Sequence, residues 1–150
     1  MDVTLSVIAI IISVISCGFT VYTFTWTAQR DKKQATLDAY NRLQNEAFDY
    51  LNLYMPARIK EISKHPTSEE YKEISGYIAR IEHFCVGVNT GIYNKKVVYQ
   101  LAHGYLDSSQ IRNRINPIIN RKNRDGEKDY YENTHIVLKW MDDISKNENK

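Results

Sequence analysis

The side chains best placed to do chemistry in this sequence are hydroxyls and a thiol within an otherwise apolar segment. They recur three and four residues apart, which places them along one side of a helix. The residues of this side are Ser6, Ala9, Ser13, Ser16, Cys17, Thr20, Thr23 and Thr27. In lipid, small and hydroxyl-bearing side chains permit close approach and hydrogen bonding between helices. The pattern therefore predicts a contact seam between helices or the wall of a narrow water path.

The other side of the same segment carries bulky apolar residues. These are Leu5, Ile8, Ile12, Ile15, Phe19, Tyr22 and Trp26. The alternative interpretation of the polar side is that its hydroxyls bond to carbonyls of their own helix and face lipid at little cost. Because the chain offers no second spanning helix, the partner of the polar side would be another copy of the chain or a different membrane protein, and we favour self-association over hydroxyls that face lipid.

A second group of reactive side chains is a set of cations in the C-terminal part of the chain. They are Arg112, Arg114, Arg121, Lys122 and Arg124. Such cations hold anionic lipid head groups or contact RNA phosphates. The alternative, which we favour, is a solvated surface paired with acids such as Asp125 and Glu127. Because 20 Lys and Arg face 18 Asp and Glu, for a net charge of +2, direct nucleic-acid binding is not expected.

Signatures of other chemistry are missing from the sequence. No histidine has a second ligand at metal spacing, and there is no glycine-rich phosphate loop or nucleophile elbow. We therefore predict no metal and no cofactor. The two cysteines, Cys17 in the apolar segment and Cys85 on a helical face, do not form a disulfide framework. These observations favour a protein that is not an enzyme.

The apolar segment itself has the length of a membrane span. Residues 5 to 24 form a twenty-residue run without a charge, and a helix of that length crosses a hydrocarbon core of about 30 Å. A cleaved signal peptide needs a basic start, a shorter apolar stretch and a small-residue cleavage site. Only Asp2 precedes this run, which ends in bulky residues. We predict a transmembrane anchor over residues 1–29.

The charges that flank the span predict its orientation. No basic residue precedes it, whereas Arg30, Lys32 and Lys33 follow at once, and such residues favour the cytoplasmic side. The N-terminus is therefore expected outside, with a cytosolic domain over residues 30–145. The charged tail, residues 146–150, is expected to be disordered.

Apolar periodicity predicts an all-α cytosolic bundle of about four to five helices. The spanning helix is expected to continue into the cytosol as its first helix and to end at Pro56 or Pro66. A second helix opens near Ser68 and ends at Gly91. The remaining predictions are a short helix giving way near Gly104, a helix over Ile111 to Ile119 that is bent or interrupted at Pro117, a loop over residues 120–128, and a last helix from about Asp129 through Ile144.

Two segments resemble a family of small bacterial single-pass membrane proteins known only as a domain of unknown function. They are Tyr77 to Leu101 and the run from Asn116 to Ile119, with Arg121 just beyond. The resemblance is carried by residues that pack helices, Gly87, Gly91 and Pro117, and by no chemical motif. It implies a helical fold and the bacterial inner membrane.

The size, the N-terminal anchor and the helical domain also resemble the accessory membrane protein of type VI-B CRISPR systems. That resemblance implies a ring-shaped oligomer whose spanning helices line a pore and depolarise an infected cell. It also implies a divergent HEPN-like domain and a cytosolic nucleic-acid-sensing effector as a partner.

HEPN ribonucleases use an Arg and a His separated by four to six residues, and Arg58 and His65 fit this spacing with six residues between them. The resemblance implies that the Arg binds the scissile phosphate and the His acts as acid or base. Both residues lie directly before Pro66, where a helix is expected to end.

The sequence as a whole predicts a membrane protein that binds lipid and its own copies. We expect a homo-oligomer, a ring or pore, that perturbs or depolarises the membrane as an accessory effector in antiviral defence. Two alternatives remain open. One is a membrane-tethered HEPN-like ribonuclease, and the other is a passive membrane scaffold for a cytosolic partner.

Overall fold

The computed structural model describes residues 3–106, 109–124 and 131–148. Over these ranges the chain is helical and contains no strand, which confirms the predicted all-α class. The elements are α1 (Val3–Leu43), a π-helical turn (Gln44–Phe48), α2 (Asp49–Leu53), α3 (Pro56–Ile62), α4 (Glu69–Asn89), α5 (Lys95–Leu106), α6 (Ser109–Arg124) and α7 (Glu132–Glu148).

The first three elements form one continuous helix. Residues 6–53 run through it without a break, over 48 residues, which is a length of roughly 70 Å at the α-helical rise. The helix ends where Tyr54 and Met55 take up extended backbone, because a proline disfavours helical geometry in the residue before it. The predicted continuity into the bundle and the predicted end at Pro56 are both confirmed.

The π turn is held by side chains from other helices. The Arg80 guanidinium donates to the Glu46 carbonyl oxygen at 2.6 Å, and the Tyr105 hydroxyl donates to the Phe48 carbonyl oxygen at 3.4 Å. A π turn adds a residue to the helical ring and so changes the register of the helix face. As a result, buried residues before the turn, such as Leu43, and after it, such as Leu51, both face the bundle.

The bundle forms around the second half of this helix. The buried apolar residues of α1 and α2 pack against α4 and α5, and Tyr40 meets Phe84 edge-on at 6.3 Å between ring centroids. The buried Thr36 hydroxyl donates to the Lys32 carbonyl oxygen and accepts from the Asn94 backbone N–H. These contacts place the start of α5 beside the part of α1 that emerges from the apolar segment.

The N-termini of α4 and α7 are capped in two different ways. The Ser68 Oγ accepts from the Tyr71 backbone N–H at 3.2 Å, so Ser68 is the N-cap expected from the sequence. The Glu82 carboxylate accepts from the backbone N–H groups of Asn133 and Thr134 and from their side chains. Glu82 therefore caps the first turn of α7 from a neighbouring helix and fixes α7 against α4.

The structure differs from the sequence prediction in the region of the two inner prolines. Residues Pro56–Ile62 form a separate helix, α3, and not the continuation of the long helix to Pro66 that was the alternative prediction; its Ile59 and Ile62 are buried. Helix α6 passes through Pro117 and reaches Arg124, so the predicted interruption, and the loop over residues 120–124, are wrong. Isoleucines on both sides of Pro117 are buried, and this packing outweighs the hydrogen bond that the proline removes.

Smaller differences concern the helix ends. Helix α5 continues through Gly104 to Leu106. The rest of the predicted loop, residues 125–128, and the predicted start of the last helix at Asp129 lie outside the described residues. Helix α7 extends to Glu148, so residues 146–148 of the expected disordered tail are helical, and residues 149–150 are not described.

Two glycines of the α4 end have packing roles. A side chain at the buried Gly87 would overlap the ring of Tyr93, which stacks on Phe84 at 5.2 Å. Gly91 has a φ of 77°, a conformation that side chains rarely adopt and that ends α4. By contrast, Gly76 lies on an exposed face of α4 with nothing near its missing Cβ.

We predict that Gly87→Ala lowers the free energy of unfolding by about 1–3 kcal/mol, because the new methyl group displaces the Tyr93 ring from a packed core. Urea denaturation followed by circular dichroism in detergent measures this change. The matched control is Gly76→Ala, which should stabilise the same helix by up to about 1 kcal/mol. Equal effects of the two substitutions would contradict this packing role.

Candidate functional site

No described part of the chain packs against the N-terminal half of α1. Val14, Phe19 and Phe24 are 67%, 68% and 73% exposed, and none of the most apolar 18-residue stretch is buried. Helix α1 is the one helix in the described part of the chain that is long and apolar enough to cross a membrane, judged by length and composition. Soluble proteins rarely leave so large an apolar surface uncovered. This segment is the first candidate functional site.

Three of the six hydroxyls on its polar side bond to their own helix. Ser13 donates to the Ala9 carbonyl oxygen at 2.9 Å, and Thr20 donates to the Ser16 carbonyl oxygen at 2.8 Å. Thr23 likewise donates to carbonyl oxygens three and four residues earlier. These three donors are therefore satisfied without a second helix. Consequently, the polarity of these three residues does not by itself require a partner.

The same side of α1 carries the smallest side chains of the apolar segment, and we call it the slim side. Ala9, Ser13 and Cys17 stand four residues apart and are all exposed, and no atom of another segment lies within 4 Å of a Cβ built on Gly18. Small residues at this spacing let two helix backbones approach closely. Size, more than hydrogen bonding, therefore makes this side a candidate contact surface.

Aromatic and basic residues follow the apolar segment directly. The Arg30 guanidinium lies 5.6 Å from the centre of the Trp26 ring, a cation–π distance. Lys32 and Lys33 come six residues after Trp26 and Thr27 along the same helix, which is just under two turns. Trp and basic residues are enriched where a span meets the head groups, so this stretch has the composition of a membrane boundary.

The two residues of the HEPN-type spacing have different acidic neighbours. Both oxygens of the Glu70 carboxylate accept from Arg58 at 2.9 Å, whereas His65 Nε2 lies 3.9 Å from Glu61. His65 is 67% exposed and stands in the turn that follows α3. The structure provides no described cleft that holds both side chains, and no observation in it favours a ribonuclease site.

The cations of the predicted basic cluster lie on different faces of α6 and have different surroundings. Arg112 donates two hydrogen bonds to the Asp142 carboxylate of α7. Arg114 is only 9% exposed, and its Nε donates to the Tyr54 carbonyl oxygen at 3.0 Å. Both side chains thus connect parts of the domain to one another. Arg121 is half-buried and lines a groove between α3 and α6.

Lys122 and Arg124, the other two members of the cluster, belong to α6, but their side chains lie outside the described part of the structure.

Among the described residues, no group of three His, Cys, Asp or Glu side chains is arranged to hold a metal ion. The Cys85 thiol is buried in the core, and burial raises its pKa to about 12. A thiol with so high a pKa is a poor nucleophile near neutral pH.

A comparison with protein families gives one match. The model of a domain of unknown function, DUF4760, matches residues 10–140, which include most of the apolar segment and nearly all of the bundle. The chain belongs to the DUF4760 family. Searches of curated proteins and of solved structures found no match, and no similarity to the CRISPR accessory protein is shown.

The DUF4760 match includes both the apolar segment and the bundle, which the continuous helix also joins.

The groove between α3 and α6 was not predicted from the sequence, although the spacing of its lining residues is visible there. Lys60 and Lys64 recur at the helical spacing of four, as do Asn113, Pro117 and Arg121. The groove is found only when α3 is known to be a helix and to lie beside α6.

We predict that Arg114→Met lowers the free energy of unfolding by about 2 kcal/mol, because it leaves the Tyr54 carbonyl oxygen without its donor. Lys72→Met removes an exposed cation from α4 and is expected to change stability by less than about 0.5 kcal/mol. Thermal denaturation of the two variants in detergent makes the comparison. If Arg114→Met were as harmless as Lys72→Met, Arg114 would not have the structural role described here.

Proposed function

We propose that this DUF4760 protein is a single-pass membrane protein whose copies associate through α1 and make the bilayer leaky to ions. The observation that carries the proposal is the uncovered apolar half of α1, which is continuous with the core helix of the bundle. Bilayer lipid is the environment that such a surface fits. The protein would then sit with its bundle against one face of the membrane.

The flanking charges support a cytosolic bundle. Arg30, Lys32 and Lys33 follow the span and no basic residue precedes it, and cations near the end of a span favour the cytoplasmic side. Taken with the bacterial proteins that the sequence resembles, this gives the inner membrane as the proposed location, with the N-terminus outside.

The slim side of α1 supports association between copies. The side chains at Ala9, Ser13 and Cys17 are small and exposed, and packing between such surfaces is a main source of helix association in lipid. Each hydroxyl that donates to its own helix still has an oxygen lone pair for water or for a donor on another copy. A ring of such sides would enclose a narrow polar path, through which ions leak.

The continuous helix supports control of that path from the cytosol. Because no loop separates the span from Tyr40, Leu43 and the rest of the core, the bundle and the span are expected to move as one body. A partner that rotates or tilts the bundle would therefore change how the spans pack. Regulation by a cytosolic protein requires a connection of this kind.

The direct test replaces the slim side with leucine. In Ser13→Leu/Cys17→Leu/Thr20→Leu, bulk prevents close approach of the helices, so we expect a monomer by light scattering in nanodiscs and loss of ion leakage from vesicles. The matched control, Ile8→Leu/Ile12→Leu/Ile15→Leu, changes the bulky side at constant volume and should keep both the wild-type mass and the leakage.

Two results would contradict the proposal. The first is a wild-type protein that is monomeric in nanodiscs at the concentrations at which vesicles leak. The second is leakage that the leucine variant leaves unchanged while the bundle remains folded by circular dichroism.

We extend the proposal to antiviral defence, in which a cytosolic nucleic-acid-sensing effector triggers the leak in an infected cell. An N-terminal span followed by a helical domain is the architectural likeness that supports this setting. In cells that carry the protein together with the genes that flank it, phage infection is expected to depolarise the membrane and reduce plaque number. Equal plaque counts with the wild-type protein and with the leucine variant would argue against this setting.

A further inference from the structure

The groove between α3 and α6 has the lining of a binding site for an anion. It encloses about 620 Å³, within the range of small-molecule sites. Its described lining contains three cations and no acid: Lys60, Lys64 and Arg121. Lys64 pairs with Glu61 at 2.6 Å, whereas no described acid is paired with Lys60.

The polar faces of the two helices form the groove because their apolar faces are held in the core. Helix α3 buries Ile59 and Ile62, and α6 buries isoleucines on the side away from the groove. Three asparagines of α6 therefore stand on the groove side, at positions 113, 116 and 120. Each primary amide supplies two donors and one acceptor. The groove thus offers hydrogen bonds of both kinds beside its positive charge.

Pro117 removes a helical hydrogen bond beside this lining. A proline has no N–H, so the Asn113 carbonyl, four residues earlier, lacks its usual helical donor. Asn113 and Pro117 both line the groove, so the groove runs along the turn of α6 in which this hydrogen bond is missing.

The position of the groove favours a soluble ligand over a lipid. Helix α3 follows the far end of the long helix, and Leu53 lies 27 residues beyond Trp26 on that helix. At the α-helical rise this separation is about 40 Å. The groove is therefore out of reach of head groups at the level of Trp26.

We propose that the α3–α6 groove binds a phosphorylated small molecule, most closely a nucleotide. Lys60 and Arg121 would contact the phosphates, since ammonium and guanidinium groups form strong charge-assisted bonds to them. The asparagine amides would bond to the polar edge of a base. This proposal does not depend on the leak proposed above, because binding is measured on the bundle face alone.

The test uses the full chain in phosphatidylcholine nanodiscs and isothermal titration with ATP, pyrophosphate and adenosine. We expect saturable binding of ATP and pyrophosphate and at least 100-fold weaker binding of adenosine. Lys60→Met and Arg121→Met should each weaken ATP binding about tenfold, which corresponds to about 1.4 kcal/mol. Lys139→Met, which removes an exposed cation from α7, should leave the affinity unchanged.

A second pair of variants separates binding from folding and tests the amides. Lys60→Arg keeps the charge and should restore affinity to within threefold of the wild type. Asn116→Leu should weaken ATP binding and leave pyrophosphate binding unchanged, because pyrophosphate carries no base. Melting temperatures of all variants should stay close to that of the wild type.

Four outcomes would overturn the proposal. They are no saturable binding of ATP or pyrophosphate at millimolar concentration, binding that neither Lys60→Met nor Arg121→Met weakens, weaker ATP binding when phosphatidylglycerol is added to the nanodiscs, and tighter binding of a single-stranded RNA than of ATP. The third outcome would identify a lipid head group as the ligand, and the fourth would identify a polynucleotide.

Discussion

One helix with two different surroundings is the constraint on which the rest of this structure depends. Its first half carries apolar side chains that no protein atom covers, and its second half supplies Tyr40, Leu43, Phe48 and Leu51 to the core. The hydrophobic effect acts on both halves, but only the second half is satisfied by the chain itself. The first half needs another apolar environment, and this need leads to the membrane proposal.

The bundle holds that helix through hydrogen bonds from several other helices. Arg80 and Tyr105 bond to carbonyl oxygens at the π turn, Thr36 ties α1 to the start of α5, and Glu82 of α4 caps α7. Charge-assisted and buried hydrogen bonds of this kind stabilise a single arrangement of helices. The proposed control of the apolar segment by the bundle relies on this connection.

The long apolar helix, its end and the start of α4 could all be predicted from the sequence. Each has a strong local cause: an uncharged run, the effect of Pro56 on the residue before it, and the Ser68 cap. Helix α3 could not be predicted, because seven residues with two buried isoleucines give too short a periodic pattern. The course of α6 through Pro117 depends on isoleucine packing, which local propensity does not contain.

The candidate sites were less predictable than the fold, for a related reason. The sequence places hydroxyls on one side of α1, but only rotamers decide that Ser13 and Thr20 bond to their own helix. Similarly, the sequence contains the cations of α6, but only packing turns Arg112 and Arg114 inward and leaves Arg121 in the groove. Arrangements that need two helices side by side are set by tertiary structure.

The account can be tested most directly by a nitroxide scan along residues 8–52 in bilayers, with oxygen and a water-soluble nickel chelate as relaxation agents. We expect access to oxygen alone from residue 8 to about Trp26, access to nickel beyond Arg30, and an unbroken helical period into the bundle. Access to nickel along the whole apolar segment, or loss of the period between Thr27 and Thr36, would contradict a spanning helix that is continuous with the core.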